Sequence, residues 1–247
     1  MHTKSPVLVT IKPSHYCEKA RWALEYTGFE YSEDPHPPLL HRLATTPFKT
    51  GTVPLLITKD KVITDSTDIL SFLDTQAPDN KKLYPEALKT EILELEELFD
   101  TKLGPHTRRI AYYYLLNYPQ LVFPVFRTGL HQFEELVFEN LFEVIKTLMQ
   151  LSMKINYQGY SRSKEKVNEV FAEVESRLSD GRTYLTGEIF TAADITFASL
   201  AAPMVLPVEY WPAGLDILPH DLYDEISYYR NTKAGQWVLK IYSQKRN

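Results

Sequence analysis

The spacing of hydrophobic and polar residues changes along the chain, from short strand-like runs before residue 76 to helical stripes after residue 85. Residues 7–11 are apolar and mostly β-branched, which is typical of a buried strand. Residues 16–27 repeat their apolar positions at helical spacing, and Gly28 follows where a helix ends in the left-handed conformation. Residues 29–32 alternate as a strand does. This order predicts a strand–helix–strand unit with a right-handed connection.

A hairpin and a second helix follow a proline-rich connection. The pattern predicts strands over residues 54–58 and 62–64. A helix is then predicted over residues 67–73, with Asp65 or Ser66 as its cap. The order β-α-β and then β-β-α is typical of a small α/β domain.

The chain is therefore predicted to contain two domains. We assign residues 1–76 to the α/β domain, residues 77–85 to a polar, proline-punctuated linker, and residues 86–247 to an all-helical domain. Helices of the second domain are predicted over residues 88–103, 108–116, 131–154 and 163–178, with two more between residues 221 and 242.

Composition and charge exclude several classes of protein. Of the 247 residues, 44% are hydrophobic and 24% charged, as in ordinary globular proteins. Lysine and arginine total 27 against 32 aspartate and glutamate, for a net charge of -5. Nucleic-acid binding needs concentrated positive charge, so we expect no nucleic-acid partner. The seven histidines lack the spacing of metal ligands, so we expect no metal cofactor.

The single cysteine and the lengths of the apolar segments indicate the cellular compartment in which we expect the protein. Cys17 has no partner for a disulfide within the chain, which favours a reducing compartment, and we expect a cytoplasmic protein. Residues 1–6 carry no apolar signal core. The longest apolar stretch, residues 198–208, is interrupted by prolines and too short to span a bilayer, so we expect no membrane association.

Residues 12–19, at the junction of the first strand and first helix, carry the richest chemistry. Backbone N–H groups at a helix start stabilise anions and lower the pKa of a nearby thiol. Redox domains place a C-x-x-C pair here, whereas this chain has Ser14 in the first position and Cys17 in the second. The Ser14 hydroxyl cannot attack a disulfide, but it can donate a hydrogen bond to the thiolate of a ligand. On this segment alone, that role and simple helix capping are equally supported. Cys17 is interpreted as a small core residue.

Two further segments are compatible with an extended peptide ligand. A cis bond between Val53 and Pro54 would turn the backbone of Val53 outward to pair with such a ligand, although a trans proline opening a strand is commoner. Asp65 and Ser66 stand at a helix start, where N–H groups and the Ser66 hydroxyl can hold a carboxylate, although plain capping is commoner.

Together, these segments resemble the glutathione-binding domain of the cytosolic glutathione transferases. Residues 14–24 look like the opening helix of the serine-type members, and Val53-Pro54 matches their cis-proline motif. Asp65-Ser66 matches the acidic-serine pair that binds the γ-glutamyl group in that family.

The resemblance extends into the helical domain. Residues 184–187 and 191–195 look like the family's internal capping box, in which Thr191 and Asp194 cap a buried helix. The fold that the resemblance implies is an α/β thioredoxin-like N-terminal domain followed by an all-α helical bundle domain. It also implies a homodimer.

The resemblance assigns roles to several residues. Ser14 would be the catalytic residue that activates the thiol of glutathione, which is a co-substrate. The glutathione-binding residues that the resemblance implies are Lys49, Val53, Pro54, Asp65 and Ser66. Lys49 is a candidate for holding the glycyl carboxylate, with His41 as the alternative.

The site of the second substrate has weaker support, because residues 105–160 match no motif of the family. On a helix, Arg108 and Tyr112 share a face and can line a site for an electrophile, and Tyr16 is a third candidate. An aromatic run at this spacing is more often core or subunit interface.

These observations predict a glutathione transferase that conjugates an electrophile or reduces a hydroperoxide, with a role in detoxification. A second hypothesis is thiol–disulfide exchange at Cys17, and the missing first cysteine speaks against it. A third is a non-catalytic binding or scaffold protein that resembles the transferases, because fold does not guarantee function.

Overall fold

The structure, a computed structural model, describes residues 5–246. Within these residues, four strands form one mixed sheet in the order β2-β1-β3-β4. The strands are β1 (Val7–Thr10), β2 (Ser32–Pro35), β3 (Leu55–Ile57) and β4 (Val62–Ile63). β1 pairs with β2 in parallel and with β3 in antiparallel orientation. The helices of this domain are α1 (His15–Thr27), α2 (His41–Thr45) and α3 (Ser66–Gln76).

The first domain confirms the predicted α/β order. Ser14 is the N-cap of α1, and Gly28 ends the helix with φ of 77°. α1 and α3 pack on the sheet because their apolar faces meet Leu8 and Leu56, which are fully buried. This packing buries the apolar side of the sheet and leaves the loops at the carboxyl end of β1 accessible.

The predicted position of the second strand is wrong by several residues. The pattern placed it over residues 29–32, whereas β2 spans Ser32–Pro35. The Phe29 N–H donates to the carbonyl of Leu24 at the end of α1, so Phe29 still belongs to the helix cap. Its ring packs on the core from that position, and pairing with β1 begins only at Ser32.

The described part of the second domain is helical. Its helices are α4 (Lys89–Lys102), α5 (Gly104–Leu115), α6 (Pro119–Arg127), α7 (Gln132–Asn140), α8 (Phe142–Ser152), α9 (Tyr157–Arg177), α10 (Ala192–Val205), α11 (His220–Arg230) and α12 (Lys233–Lys245). Every residue of α10 is buried, and α1, α4, α5, α11 and α12 pack around it. The predicted capping box is present, with the Thr191 N–H donating to Asp194 Oδ2 at 2.7 Å.

Several helix predictions in this domain are wrong in detail. The helix predicted over residues 131–154 is two helices, α7 and α8, separated at Leu141. The break lets both helices direct apolar residues, including Phe138 and Phe142, into one small core. The sequence analysis assigned no element to α6, which contains Pro119 and Pro124. Pro119 stands in the first turn, where its missing N–H costs no helical hydrogen bond. α9 begins six residues before its predicted start at residue 163, at Tyr157.

The hydrophobic interior has two parts. The main core joins the sheet, α1, α3, α4 and the helices around α10. A second core lies among α5 to α8 and consists of Leu116, Val122, Phe126, Phe138, Phe142, Ile145, Met149 and Ile155. Ile11 and Leu39 of the first domain pack against this second core, which brings α8 next to the loop after β1.

The predicted linker lies between α3 and α4, and the exact domain boundaries stay a prediction. In this segment, Asp74 Oδ1 accepts the N–H groups of Leu83 and Tyr84 at 2.6 and 3.0 Å. In residues 5–246, no helix combines the length and apolar character needed to cross a membrane. The same residues contain no group of three or more His, Cys, Asp or Glu side chains arranged to hold a metal ion.

Candidate functional site

A cleft between the two domains contains two adjoining cavities, of about 680 and about 250 Å³. Tyr16, Thr52, Val53 and Arg108 line both of them. The larger cavity is also bounded by the start of α3 and by α4, whereas the smaller one is bounded by the loop after β1, by α2 and by α8. Most of the predicted site residues therefore meet in one cleft.

Ser14 lies half-buried on the wall of the smaller cavity. Its Oγ accepts the N–H of Cys17 at 3.4 Å, so capping of α1 is observed. An acceptor role leaves the hydroxyl hydrogen available, and Ser14 can cap the helix and donate to a ligand at the same time. The two interpretations of this residue are thus compatible.

A buried ion network supports the loop that carries Ser14. Arg21 donates to the carbonyl of Lys12 at 2.8 Å and pairs with Glu33 at 2.7 Å. Burial acts to raise the pKa of Glu33, but the charge of Arg21 and hydrogen bonds from Lys12, Thr10 and Arg21 hold it at about 2. Glu33 is therefore ionised at neutral pH and anchors the guanidinium beneath the loop.

The Val53–Pro54 peptide bond is cis, as the motif suggested. Val53 is half-buried and lines both cavities, while Pro54 is buried and lines the larger one. β3 begins at Leu55, so the backbone of Val53 is not used in the described sheet. It is available to pair with an extended ligand.

Asp65 and Ser66 form one end of the larger cavity. Asp65 caps α3 by accepting the N–H groups of Thr67 and Asp68 at 2.8 and 3.4 Å, so plain capping is again observed. Ser66 is buried, and its hydroxyl has no hydrogen-bond partner in the described residues. A helix start and a free hydroxyl together suit a carboxylate.

Asp100 on α4 is a feature of this cavity that the sequence analysis missed. Its Oδ2 pairs with Lys19 at 2.9 Å, while its buried Oδ1 has no partner in residues 5–246. Glu96, one turn earlier, also lines the cavity and pairs with Lys19. An acidic pair spaced by four residues usually marks a solvated helix face, so the sequence carried no distinct signal for this site.

Tyr16 and His15 join the two domains at the end of α4 and the start of α5. The Tyr16 hydroxyl donates to the carbonyl of Asp100, and His15 Nε2 donates to the carbonyl of Gly104, both at 2.8 Å. Gly104 has no side chain, and a Cβ there would collide with the Tyr16 ring. Burial, followed by the charge of Arg108, lowers the pKa of His15 to about 3, so its imidazole is neutral.

Arg108 and Tyr112 lie one turn apart on α5 and both line the smaller cavity with Ser14. Burial raises the pKa of Tyr112, so its hydroxyl is protonated at neutral pH. Met149 and Met153 form the apolar side of this cavity. The sequence analysis missed both methionines because it predicted a helix over residues 131–154 but not what that helix packs against.

Of the residues predicted to bind the glycyl carboxylate of glutathione, one lines the cleft and the other does not. His41 lines the smaller cavity and donates from Nε2 to the carbonyl of Gly51 at 3.1 Å. Arg42, which the sequence analysis did not consider, lines the same cavity. Lys49 is exposed, has a φ of 58°, and is absent from the walls of both cavities.

Family models match both domains. The model of the glutathione S-transferase N-terminal domain matches residues 8–81, and the C-terminal domain model matches residues 157–225. Together, these segments make up more than half of the chain. No curated protein matches the sequence.

Solved structures share the fold at low sequence identity. A glutathione S-transferase from Pseudomonas fluorescens is 16% identical, with a TM-score of 0.62 over 98% of this chain and 96% of the other. An enzyme of Ceriporiopsis subvermispora in complex with glutathione is also 16% identical, with a TM-score of 0.66 over 99% and 98% of the chains. Glutathione transferase GSTFuA3 from Phanerochaete chrysosporium is 15% identical, with the same TM-score and coverage.

Proposed function

Because this chain belongs to the glutathione S-transferase family, we propose that it binds glutathione beside Ser14 and transfers the glutathione thiolate to an electrophilic or hydroperoxide substrate. The observation that carries this proposal is that Ser14, Val53 and Ser66, which are far apart in the sequence, line two adjoining cavities of one cleft. An extended tripeptide fits such a series of contacts.

The γ-glutamyl end of glutathione carries a carboxylate and an ammonium group. The carboxylate is assigned to the start of α3, where the Ser66 N–H and hydroxyl can both donate to it. The ammonium is assigned to the acidic side of the larger cavity, which the carboxylates of Asp65 and Asp100 line. This end of the cleft has the charges that an amino acid group needs.

The cysteinyl residue is assigned to the centre of the cleft. Its backbone would pair with Val53, next to cis Pro54, and its sulfur would lie beside the Ser14 hydroxyl. A free thiol has a pKa of about 8.5, and lowering it by about two units needs roughly 2.7 kcal/mol of selective stabilisation. One charge-assisted hydrogen bond and the N-terminus of α1 together supply an effect of about that size.

The glycyl carboxylate is assigned to the cationic side of the smaller cavity. His41 and Arg42 line that side, and Lys49 follows on the same connecting segment. Arg42 is the strongest of these candidates, because its guanidinium is permanently charged whereas burial lowers the pKa of His41.

The second substrate would occupy the rest of the smaller cavity. Arg108 and Tyr112 face Ser14 from the other domain across this space, and Tyr16 lines it from the first domain. Holding the acceptor there places its electrophilic atom next to the thiolate sulfur, and this proximity raises the rate of reaction. The sulfur forms a bond to that atom while a leaving group departs with the electrons of its bond, or while an electron pair of the acceptor moves away from the attacked atom and is protonated. The resemblance to the family further leads us to propose a cytoplasmic homodimer that acts in detoxification, and sedimentation analysis tests the dimer.

The test of this function is glutathione binding by calorimetry, combined with ultraviolet absorbance of the bound thiolate across pH. Ser14→Ala should bind glutathione with similar affinity but raise the pKa of the bound thiol by about one to two units. Ser66→Ala is the matched control: it should weaken binding and leave that pKa unchanged. Failure of the wild type to bind glutathione, or a normal thiolate signal in Ser14→Ala, would contradict the proposal.

A further inference from the structure

Arg108 is a cation in the middle of the cleft that has no counter-ion among residues 5–246. Its side chain lines both cavities of the candidate site and a third, apolar cavity of about 60 Å³ behind Tyr112. It is half-buried, and within residues 5–246 it makes no hydrogen bond or ion pair. An arginine at such a site usually binds a planar acid group.

Other enclosed arginines of this chain are satisfied by the protein. Arg21 pairs with Glu18 and Glu33. Arg109, the next residue along α5, donates to the carbonyl of Met153 at 2.7 Å and to Ser163 Oγ at 2.7 Å. A guanidinium that is partly buried without a hydrogen-bond partner costs free energy. A ligand that supplies an acceptor for it therefore binds more tightly, because it forms the missing hydrogen bond.

The surroundings of Arg108 on the Ser14 side contain no competing carboxylate. No Asp or Glu is among the residues that line the 250 Å³ cavity or the 60 Å³ cavity. His15, which lines the 60 Å³ cavity, is neutral, so it does not share the role of cation. The acidic side chains of the cleft, such as Asp65 and Asp100, line the 680 Å³ cavity instead.

Apolar side chains form much of the wall around Arg108. Met149, Met153 and Leu39 line the 250 Å³ cavity, and Leu121, Val122, Phe126 and Trp211 are among the residues that line the 60 Å³ cavity. A ligand at this position would therefore meet hydrophobic walls around Arg108, while the second arginine of the 250 Å³ cavity, Arg42, lines it from α2. Methionine side chains adapt to the shape of an apolar group, so the walls do not demand one particular ring or chain.

We propose that the acceptor substrate is an apolar organic molecule with an acid group, such as a carboxylate, and that Arg108 binds this group. This inference rests on the proposed function and adds the chemical class of the second substrate. Glutathione's own carboxylates are assigned to the two ends of the cleft, at Ser66 and Arg42. Arg108 lies between these ends, because it lines both cavities, as Tyr16 and Val53 do.

The test uses glutathione conjugates, because their binding needs no turnover. S-benzylglutathione and the positional isomers of S-(carboxybenzyl)glutathione differ by one acid group. The wild type should bind the best carboxylated isomer about 10- to 100-fold more tightly than S-benzylglutathione, the range expected for a charge-assisted hydrogen bond. Calorimetry on the full chain gives each affinity, and thermal unfolding checks that each variant is folded.

Two variants isolate Arg108. Arg108→Gln should abolish the preference for the carboxylated conjugate and leave the affinity for unmodified glutathione unchanged, and Arg108→Lys should retain part of the preference. Arg42→Gln is the matched control, since it removes a cation from the same cavity. It should weaken the binding of glutathione and of both conjugates alike, so that the preference persists.

Several outcomes would overturn the inference. An equal affinity of the wild type for both conjugates, or a preference that survives in Arg108→Gln, excludes an acid-binding role for Arg108. If Arg108→Gln weakens glutathione and both conjugates equally, Arg108 holds glutathione itself. If it raises the pKa of the bound thiol without changing the preference, Arg108 stabilises the thiolate. A wild type that does not bind glutathione at all overturns the proposed function, and this inference falls with it.

Discussion

Lys19 of α1 and Glu96 of α4 form a buried ion pair across the two domains, with 3.0 Å between Nζ and Oε1 and side-chain exposures of 0% and 1%. Lys19 also donates to Thr67 at 2.7 Å and to Asp100 at 2.9 Å. Glu96 in turn accepts the hydroxyls of Tyr84 and Thr196, so the pair is fully embedded in a polar network. The network holds Asp100 in place on the wall of the larger cavity.

Lys19→Met should be strongly destabilising, because it leaves the carboxylate of Glu96 buried without its counter-ion. We expect a loss of about 3–5 kcal/mol in the free energy of unfolding, measured by urea denaturation. Lys166→Met, which removes an exposed partner of Glu169, is the control and should cost less than about 1 kcal/mol. Adding Glu96→Gln to Lys19→Met should recover part of the loss. Equal stabilities of Lys19→Met and Lys166→Met would contradict this account.

Cys17→Ala should leave glutathione transfer essentially unchanged. Cys17 is completely buried, and burial raises the pKa of its thiol, so it is neither accessible nor ionised at neutral pH. A loss of about 1–2 kcal/mol in stability is expected from the small cavity. The checks are conjugation kinetics of the variant and the reactivity of the native wild type toward a disulfide reagent. Rapid modification of native Cys17, together with loss of activity in the variant, would favour thiol–disulfide exchange.

His15 should make the protein less stable as the pH falls. The unfolded chain takes up a proton at His15 near pH 6.5, whereas the folded chain does so only near pH 3. Between these values the unfolded state binds more protons, so stability decreases with acidification by at most about 1.4 kcal/mol per pH unit. The stability advantage of the wild type over His15→Gln should therefore be largest at neutral pH and shrink toward pH 4.

The measurement is urea denaturation of the wild type and His15→Gln from pH 4 to pH 7.5. His220→Gln, at an exposed position on α11, is the matched control. A stability difference between wild type and His15→Gln that does not change with pH would show that the cross-domain bond to Gly104 does not depend on a neutral imidazole.

Asp194→Ala should destabilise the second domain more than a surface substitution does. Its Oδ2 accepts the Thr191 N–H at 2.7 Å, and its Oδ1 accepts the Leu185 N–H at 2.8 Å. Removing the side chain leaves two buried donors unsatisfied at the start of α10, at an expected cost of about 2–4 kcal/mol. Asp79→Ala, on the exposed connection after α3, is the control. Similar unfolding midpoints for the two variants would contradict the capping role.

The local motifs of the first domain could be predicted because they depend on short segments. Ser14 and Asp65 are helix caps whose chemistry follows from their neighbours in the sequence, and the motif at Val53-Pro54 likewise indicated the cis bond that the structure contains. The strand after Gly28 was misplaced because a helix cap and a strand both accommodate Phe29 and Tyr31. In the helical domain, the apolar residues keep a helical spacing through Leu141, so the sequence does not indicate the break there. The break is explained by the second core, into which α7 and α8 both direct apolar residues.

The sequence by itself determined the order of the four strands and of α1 and α3, the caps at Ser14, Asp65 and Asp194, and the family, because each depends on short segments of the chain. Only the tertiary structure showed that Asp100 and Arg108 face the same cleft as Ser14. Helical periodicity places a residue on one face of its helix but does not say what packs against that face. The balance of charge in the cleft, acidic near Asp65 and cationic near Arg42, depends on packing between elements that are distant in sequence.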